Sequence, residues 1–366
     1  MSTRFKFRLA GEADDGALRA VIRQTSMSGN ISIAFVREPS FFTAERLGSI
    51  KQQTLICEDQ ETGKIVGVGD RSIRKVYVDG EPKAVGYLGS LRLLSEARGG
   101  TALVRGYRYL RDLHSDGEVS YYFTTILDEN LAARQILESG RAGMPRYVPV
   151  GLFATYLIPL RKKRSMVSRM EVVRCNGELS QVHKCFQQWN GRHQFSPVYA
   201  VEEMTDSDLL PAFSTENLYV CKNRHEVIGT LAVWDQQSFK QTVVTGYSVG
   251  MKVVRPFYNG FAIMRGRPLL PQVGSNIRSV YACFVSSKDD NPEVFGSLAE
   301  KACADWSGRG YDYLLIGLSE ESKLGAVARR LAVRELKSKV YLVHWQDEKV
   351  KLPTSQRTLH LEVATL

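Results

Sequence analysis

The chain has 366 residues, 43% hydrophobic and 24% charged, with a net charge of +10, a make-up that suits one long or two ordinary globular domains and excludes intrinsic disorder. The basic balance favours polyanionic partners, either nucleic acid or phosphorylated cofactors. The longest apolar run, VGLFATYLIPL (150–160), is too short to cross a bilayer, MSTRFKFRLAGEADD lacks the apolar core of a signal peptide, and six scattered cysteines include no CxxC; together these predict a cytoplasmic protein with reduced thiols, no membrane partner and no metal.

FKFRLA (5–10) alternates as a strand, DDGALRAVIRQTSM (14–27) reads as a helix, and EPSFFTAERLGS (38–49) as a second helix with Pro39 at its start. TLICEDQ (54–60) and KIVGVGDRSIRKVYV (64–78) are predicted strands, followed by the buried strand AVGYLGSLRLL (84–94). That strand runs into SEARGGT, after which Leu103, Tyr107, Leu110 and His114 mark one face of a helix. The first N–H groups of a helix lack intrahelical partners and its dipole favours negative charge, so a glycine turn there can receive an anion. EVSYYFTTIL (118–127) is the next strand, Asn130 caps a helix through Leu137, and RYVPVGLFATYLIPL (146–160) closes the first half. The order β-α-α-β-β-β-α-β-α-β is buried economically by a mixed sheet with helices on both faces.

Residues 3–160 resemble the GCN5-related N-acetyltransferase (GNAT) family. That family places a Gln/Arg-x-x-Gly-x-Gly/Ala turn between its fourth strand and third helix; Gly100-Thr101-Ala102 match its end, while the Gln/Arg position falls on Ala97, with Arg98 one place later. Its fifth strand leads into Asn-x-x-Ala-x-x-x-Tyr, matched by Asn130 and Ala133, with Leu137 in the Tyr position. The resemblance implies acetyl-CoA or another acyl-CoA as co-substrate, held by Leu93, Arg98, Gly99, Gly100, Thr101, Ala102, Asn130 and Ala133, and an amine-bearing acceptor, small molecule or protein. Acyl transfer needs a proton acceptor for the amine and commonly an acid for the departing sulfur. With Leu137 in place of the family's Tyr, Tyr121 and Tyr122 are the nearest acids, since alternation sends them to opposite faces. Glu96, beside the turn, is a candidate base. Core packing for the tyrosines and a surface position for Glu96 are the ordinary structural readings.

The basic run RKKRSMVSR (161–169) reads as a connector, dividing the chain into domains 1–162 and 168–350 with residues 351–366 as a tail or added strand. Beyond it, MEVVRC (170–175), the hairpin pair in NLYVCKNRHEVIGTLAVWD (217–235) and RSVYACFVSS (278–287) read as strands. GYDYLLIGL (310–318) and GAVARRLAVREL (325–336) repeat the aromatic strand and Ala-Arg helix of the first half, with Ala133 and Ala328 separated by 195 residues. Between them Asp289, Asp290, Asn291, Pro292 and Glu293 open a helix with carboxylates, a self-capping side chain and a missing donor, all adverse to phosphate. The second half is thus expected to be GNAT-like without a coenzyme A site, resembling the plan of the N-myristoyltransferases. The predicted fold class is α/β, two GNAT-like domains, each a mixed, mostly antiparallel sheet flanked by helices. The predicted function is acyl-CoA-dependent N-acyl transfer; a non-catalytic coenzyme A-binding or assembly module is the alternative, supported by the missing Tyr. Nucleic acid is disfavoured because no aromatic residues interleave with the charges of 161–169.

Overall fold

Long β-branched runs dominate the first half, and they form the strands β1 (Phe5–Leu9), β2 (Ile31–Val36), β3 (Lys51–Asp59), β4 (Lys64–Val78), β5 (Glu81–Leu93), β6 (Tyr122–Leu127) and β7 (Arg146–Pro159), with helices α1 (Asp15–Gln24), α2 (Ala102–His114) and α3 (Leu131–Leu137). The second half contributes β8 (Glu171–Arg174), α4 (Leu179–Asn190), β9 (Leu218–Asn223), β10 (Glu226–Trp234), β11 (Gln241–Tyr247), α5 (Val249–Arg265), β12 (Asn276–Ile277), β13 (Ser279–Ser287), α6 (Pro292–Trp306), β14 (Tyr313–Ser319), α7 (Gly325–Leu331) and β15 (Arg334–His344). This computed structural model describes residues 4–44, 46–99, 101–141, 143–162, 170–347, 349–354 and 356–366. Most of the connector, residues 163–169, lies outside the described residues, as does Gly100.

Among the described residues, twelve strands form one mixed sheet in the order β1-β3-β4-β5-β6-β15-β7-β14-β13-β10-β9-β8, and β12-β11-β2 make a small second sheet. Among the described strands, β5 with β6 and β13 with β14 pair in parallel and the others antiparallel. The last strand, β15, lies between β6 and β7, while β7 pairs onward with β14. Both backbone edges of β15 are therefore satisfied inside the sheet, which explains why its alternating RELKSKVYLVH is a strand. The helix expected over 325–336 stops at Leu331 for that reason. A helix expected over 38–49 is also corrected: among its described residues the segment holds a short 3-10 turn, Phe41–Ala44, and no α-helix. Tertiary contacts override its local pattern, because Asp15 accepts hydrogen bonds from the Ser40 hydroxyl (2.6 Å) and the Phe41 N–H (2.7 Å) while Phe41 is buried against α1.

The two parallel pairs share one build of strand, helix, strand and seven-residue helix. One face of the sheet centre is covered by α2 and α3 through Tyr107, Leu110, Tyr122, Leu137, Tyr341 and Trp345. On the opposite face Val76, Tyr87 and Phe123 join Val182, Phe186 and Trp189 of α4 and the chain's last segment, Leu359, Leu361, Val363 and Ala364. That segment forms no long strand: it makes one bridge, Leu359 to Gln194, and ends in a 3-10 turn, Val363–Thr365. Burying each of its large apolar side chains stabilises the fold by about 1.5–3 kcal/mol.

Candidate functional site

β5 and β6 touch at only two register positions, Gly86 opposite Tyr122 and Tyr87 opposite Phe123. Glycine is required at the crossing, since a Cβ on Gly86 would come within 2.0 Å of the Tyr122 ring. The Thr124 hydroxyl donates to the Leu88 carbonyl (2.6 Å), and past that bond the ladder between the strands ends. On the β5 side of this opening the register with β4 slips, so that Ser90 and Leu91 stand against Gly69 alone, with Ser90 at φ +53°. Such a bulge takes backbone groups out of the ladder. Arg37 holds it in place, with Nη2 within 3.2 Å of both the Ser90 hydroxyl and the Asp70 carboxylate.

At the end of β5 the chain makes a 3-10 turn, Ser95–Ala97, and passes through Gly99 at φ +76° with open space around its Cα. The sharp reversal into α2 needs glycine at this left-handed position. Ala97 and Ala102 are buried and anchor the turn, whereas Arg98, Gly99 and Thr101 are exposed. Arg98 Nε donates to the Leu93 carbonyl (2.9 Å), so the guanidinium stays beside the turn. Thr101 is the N-cap of α2 but its side chain makes no capping bond. The first N–H groups of α2 therefore owe nothing to that hydroxyl. Asn130 caps α3 through a bond from the Ala133 N–H (3.2 Å), and Ala133 packs into the core beneath α2. The cofactor-binding set expected from sequence thus lies around the C-terminal ends of β5 and β6, apart from Gly100, which is not among the described residues.

The candidate catalytic residues lie elsewhere. Tyr121 and Tyr122 do point to opposite faces, but both faces are covered at that level. Tyr122 has no exposed surface; its hydroxyl accepts from Arg71 Nε (2.9 Å), lies 3.0 Å from His114 Nδ1, and its ring packs edge-on to Trp345. Arg71 is in turn held by both carboxylate oxygens of Asp116 at 2.8 Å. Tyr121 is buried with Val76, Val78 and Phe195, and burial together with the charge of Asp79 pushes its hydroxyl up to about 12. It precedes the paired residues, on the side away from the opening. Glu96 is exposed on the turn and accepts from the Ser95 hydroxyl (3.2 Å). Replacing Tyr122 with Phe is expected to destabilise the protein by about 1–3 kcal/mol, because Arg71 and His114 lose a buried partner; urea unfolding measures this.

Across the sheet from α2, a small, partly open pocket of about 30 Å³ is lined by Arg74, Phe123, Tyr199, Glu362, Thr365 and Leu366, among others. Arg74 is buried, stacks 3.9 Å from the Tyr87 ring centre, and donates from Nη2 to the Thr365 carbonyl (2.6 Å). Its Nε, and Nη1 of Arg37, have no hydrogen-bond partner among the described residues. Lys240 Nζ donates to the Leu366 carbonyl (2.9 Å), and burial, with Arg37 and Arg74 nearby, lowers it to about 7. Burial raises the Glu362 carboxyl to about 8 although it accepts a bond from the Phe284 N–H (2.9 Å). Sequence reasoning missed this cluster. Its one local signal is a lone carboxylate in the apolar run LHLEVATL (359–366).

No protein-family model and no curated protein matches this sequence. Solved structures match its fold. Saccharomyces cerevisiae N-myristoyltransferase with bound myristoyl-CoA superposes at a TM-score of 0.62 and 10% identity, over 99% of this chain and 88% of that one. A GCN5-related N-acetyltransferase from Sphaerobacter thermophilus does so at 0.60 and 11%, over 97% of this chain and 100% of that one. The chain has the GNAT fold. Here the motif turn joins β5 to α2, because β2 belongs to the small sheet and, among the described residues, no second α-helix precedes β3. No helix among the described residues is long and apolar enough to cross a membrane.

Proposed function

We propose that this chain is an acyl-CoA-dependent N-acyltransferase, with coenzyme A resting on the turn from Ser95 to Thr101 and its acyl group entering the opening between β5 and β6. The observation that carries this reading is the combination of three features: a glycine turn at a helix N-terminus to which the Thr101 side chain gives no bond, a parallel pair that parts beside it, and a small pocket on the opposite face that holds Arg74 and Glu362. The solved N-myristoyltransferase holding myristoyl-CoA on the same fold supports acyl-CoA as the co-substrate. Arg98 and the helix dipole favour the pyrophosphate. Backbone donors at the Ser90–Leu91 bulge are the candidates for stabilising the oxyanion that forms when the amine attacks the thioester. Proton transfer is assigned to Glu362, which lines the pocket and whose carboxyl burial raises to about 8. Neither Tyr121 nor Tyr122 reaches that pocket, and Glu96 sits on the exposed turn.

The acyl group is proposed to be acetyl or another short one. Tyr107, Tyr147, Tyr341 and Trp345 fill the space between α2, α3 and the sheet, where a long chain would need a vacant apolar channel. The second half is proposed to bind no coenzyme A. Asn291 caps α6 through the Glu293 and Val294 N–H groups, Pro292 removes a donor, and Asp289 and Asp290 pair with Arg192 and His193 at 3.1 Å. The test is release of free thiol from acetyl-CoA with a panel of amines. Amine-dependent release supports transfer; coenzyme A binding without release from any amine favours the non-catalytic module.

A further inference from the structure

Helix α5 is built inside out. Its polar side chains face its own following loop: Arg255 Nε donates to the Leu270 carbonyl (3.0 Å), Asn259 both donates to that carbonyl (3.1 Å) and accepts from the Leu270 N–H (2.8 Å), and the Tyr258 hydroxyl reaches the Pro268 carbonyl (3.3 Å). Among its 17 residues only Ala262 is buried. The opposite side carries Val249, Val253, Phe257 and Met264, which are 81%, 64%, 77% and 78% exposed and fall on one stripe at helical spacing. Large side chains left in water in a continuous row mark a surface that another apolar phase covers.

Charge identifies that phase. Between Asp235 and Asp289 the chain has no carboxylate and seven lysines and arginines. Lys252, Arg265 and Arg267 are exposed on the helix and its loop, none of them ion-paired among the described residues, and the two arginines flank the Phe261 ring at 5.4 and 5.7 Å. Apolar side chains bordered by unpaired cations, in a segment without acidic residues, complement a layer that is apolar inside and anionic at its surface. A protein partner of ordinary composition would leave those cations without dedicated partners. We propose that α5 lies in the interface of an anionic bilayer, with Val253, Phe257 and Met264 among the acyl chains and Lys252, Arg265 and Arg267 among the headgroups. This is peripheral docking, compatible with the lack of a membrane-crossing helix among the described residues, and it departs from the expectation from sequence that the protein has no membrane partner.

The test is co-sedimentation of the full chain with vesicles of phosphatidylcholine alone or with about one-third phosphatidylserine, an anionic fraction chosen so that the surface potential is large. Binding is expected only to the phosphatidylserine vesicles and is expected to fall at least about tenfold in 0.5 M salt, where surface charges are screened. Phe257→Ser with Met264→Ser should reduce it by a similar factor without changing the melting temperature, since both side chains are already in solvent, and Lys252→Glu with Arg265→Glu should do the same through charge. Equal binding to both vesicles, no binding to either, or binding indifferent to the Phe257 and Met264 substitutions overturns the proposal. So does a concentration-dependent dimer that the serine variants dissociate, which would assign the face to a second copy of this chain.

Discussion

Thr101→Glu is expected to leave the protein folded and to cut its stabilisation by coenzyme A to half or less. Thr101 is exposed at the start of α2 and gives the helix no side-chain cap, so little is lost with its hydroxyl. A carboxylate at a helix N-terminus is favourable by about 0.3–1 kcal/mol, which keeps the unliganded melting temperature level or slightly raised. The same charge would stand where the pyrophosphate is proposed to sit, next to the N–H groups it needs. Wild type should gain about 2.7 kcal/mol at a ligand concentration a hundred times Kd, and the variant should show a Kd raised at least tenfold. An undiminished thermal shift in the variant would place the cofactor elsewhere. Because protein stability and ligand binding move in opposite directions, misfolding cannot imitate the expected result.

Glu362→Gln is expected to stabilise the protein strongly at alkaline pH and hardly at all in acid. Burial raises Glu362 to about 8 from an ordinary 4.5. The native carboxyl thus keeps its proton through a range where the unfolded chain has released it, so its contribution is intact below the unfolded pKa and is lost as pH rises to the folded one. Glutamine stays neutral in both states and its carbonyl can still accept from the Phe284 N–H. The gain over wild type should grow from near zero at pH 4 to about 3–5 kcal/mol at pH 8. His360 runs the other way: burial lowers it to about 3 from 6.5, so stability rises with pH across that interval. It is present in both proteins and cancels in the difference. Denaturant melts of the pair at several pH values measure this, and a difference independent of pH would mean that Glu362 is ionised in the folded state.

The parts of the site built from neighbours in sequence were legible before the structure. The strand, turn and helix of 84–114 follow from local pattern, since the residues that α2 buries, Tyr107, Leu110 and His114, stand on the stripe read from sequence. Asn130 and Asn291 announced their caps in the same way. What escaped is non-local. The pocket joins Arg74 to Thr365 across 291 residues, and the small sheet pairs β2 with β11 from opposite halves of the chain. Tyr121 and Tyr122 were placed on the right faces, but strand alternation says nothing about what covers a face. α5 escaped for a further reason: its apolar stripe turns outward, so periodicity alone would have assigned that side to the core.

Titration calorimetry of the full chain with acetyl-CoA tests the central claim most directly. The account predicts a stoichiometry near one, and from Thr101→Glu a binding isotherm weakened at least tenfold. Absence of binding, or two equivalent sites per chain, would contradict it: the first by removing coenzyme A from the turn, the second by showing that α6, despite Asp289, Asp290 and Pro292, receives a phosphate as readily as α2.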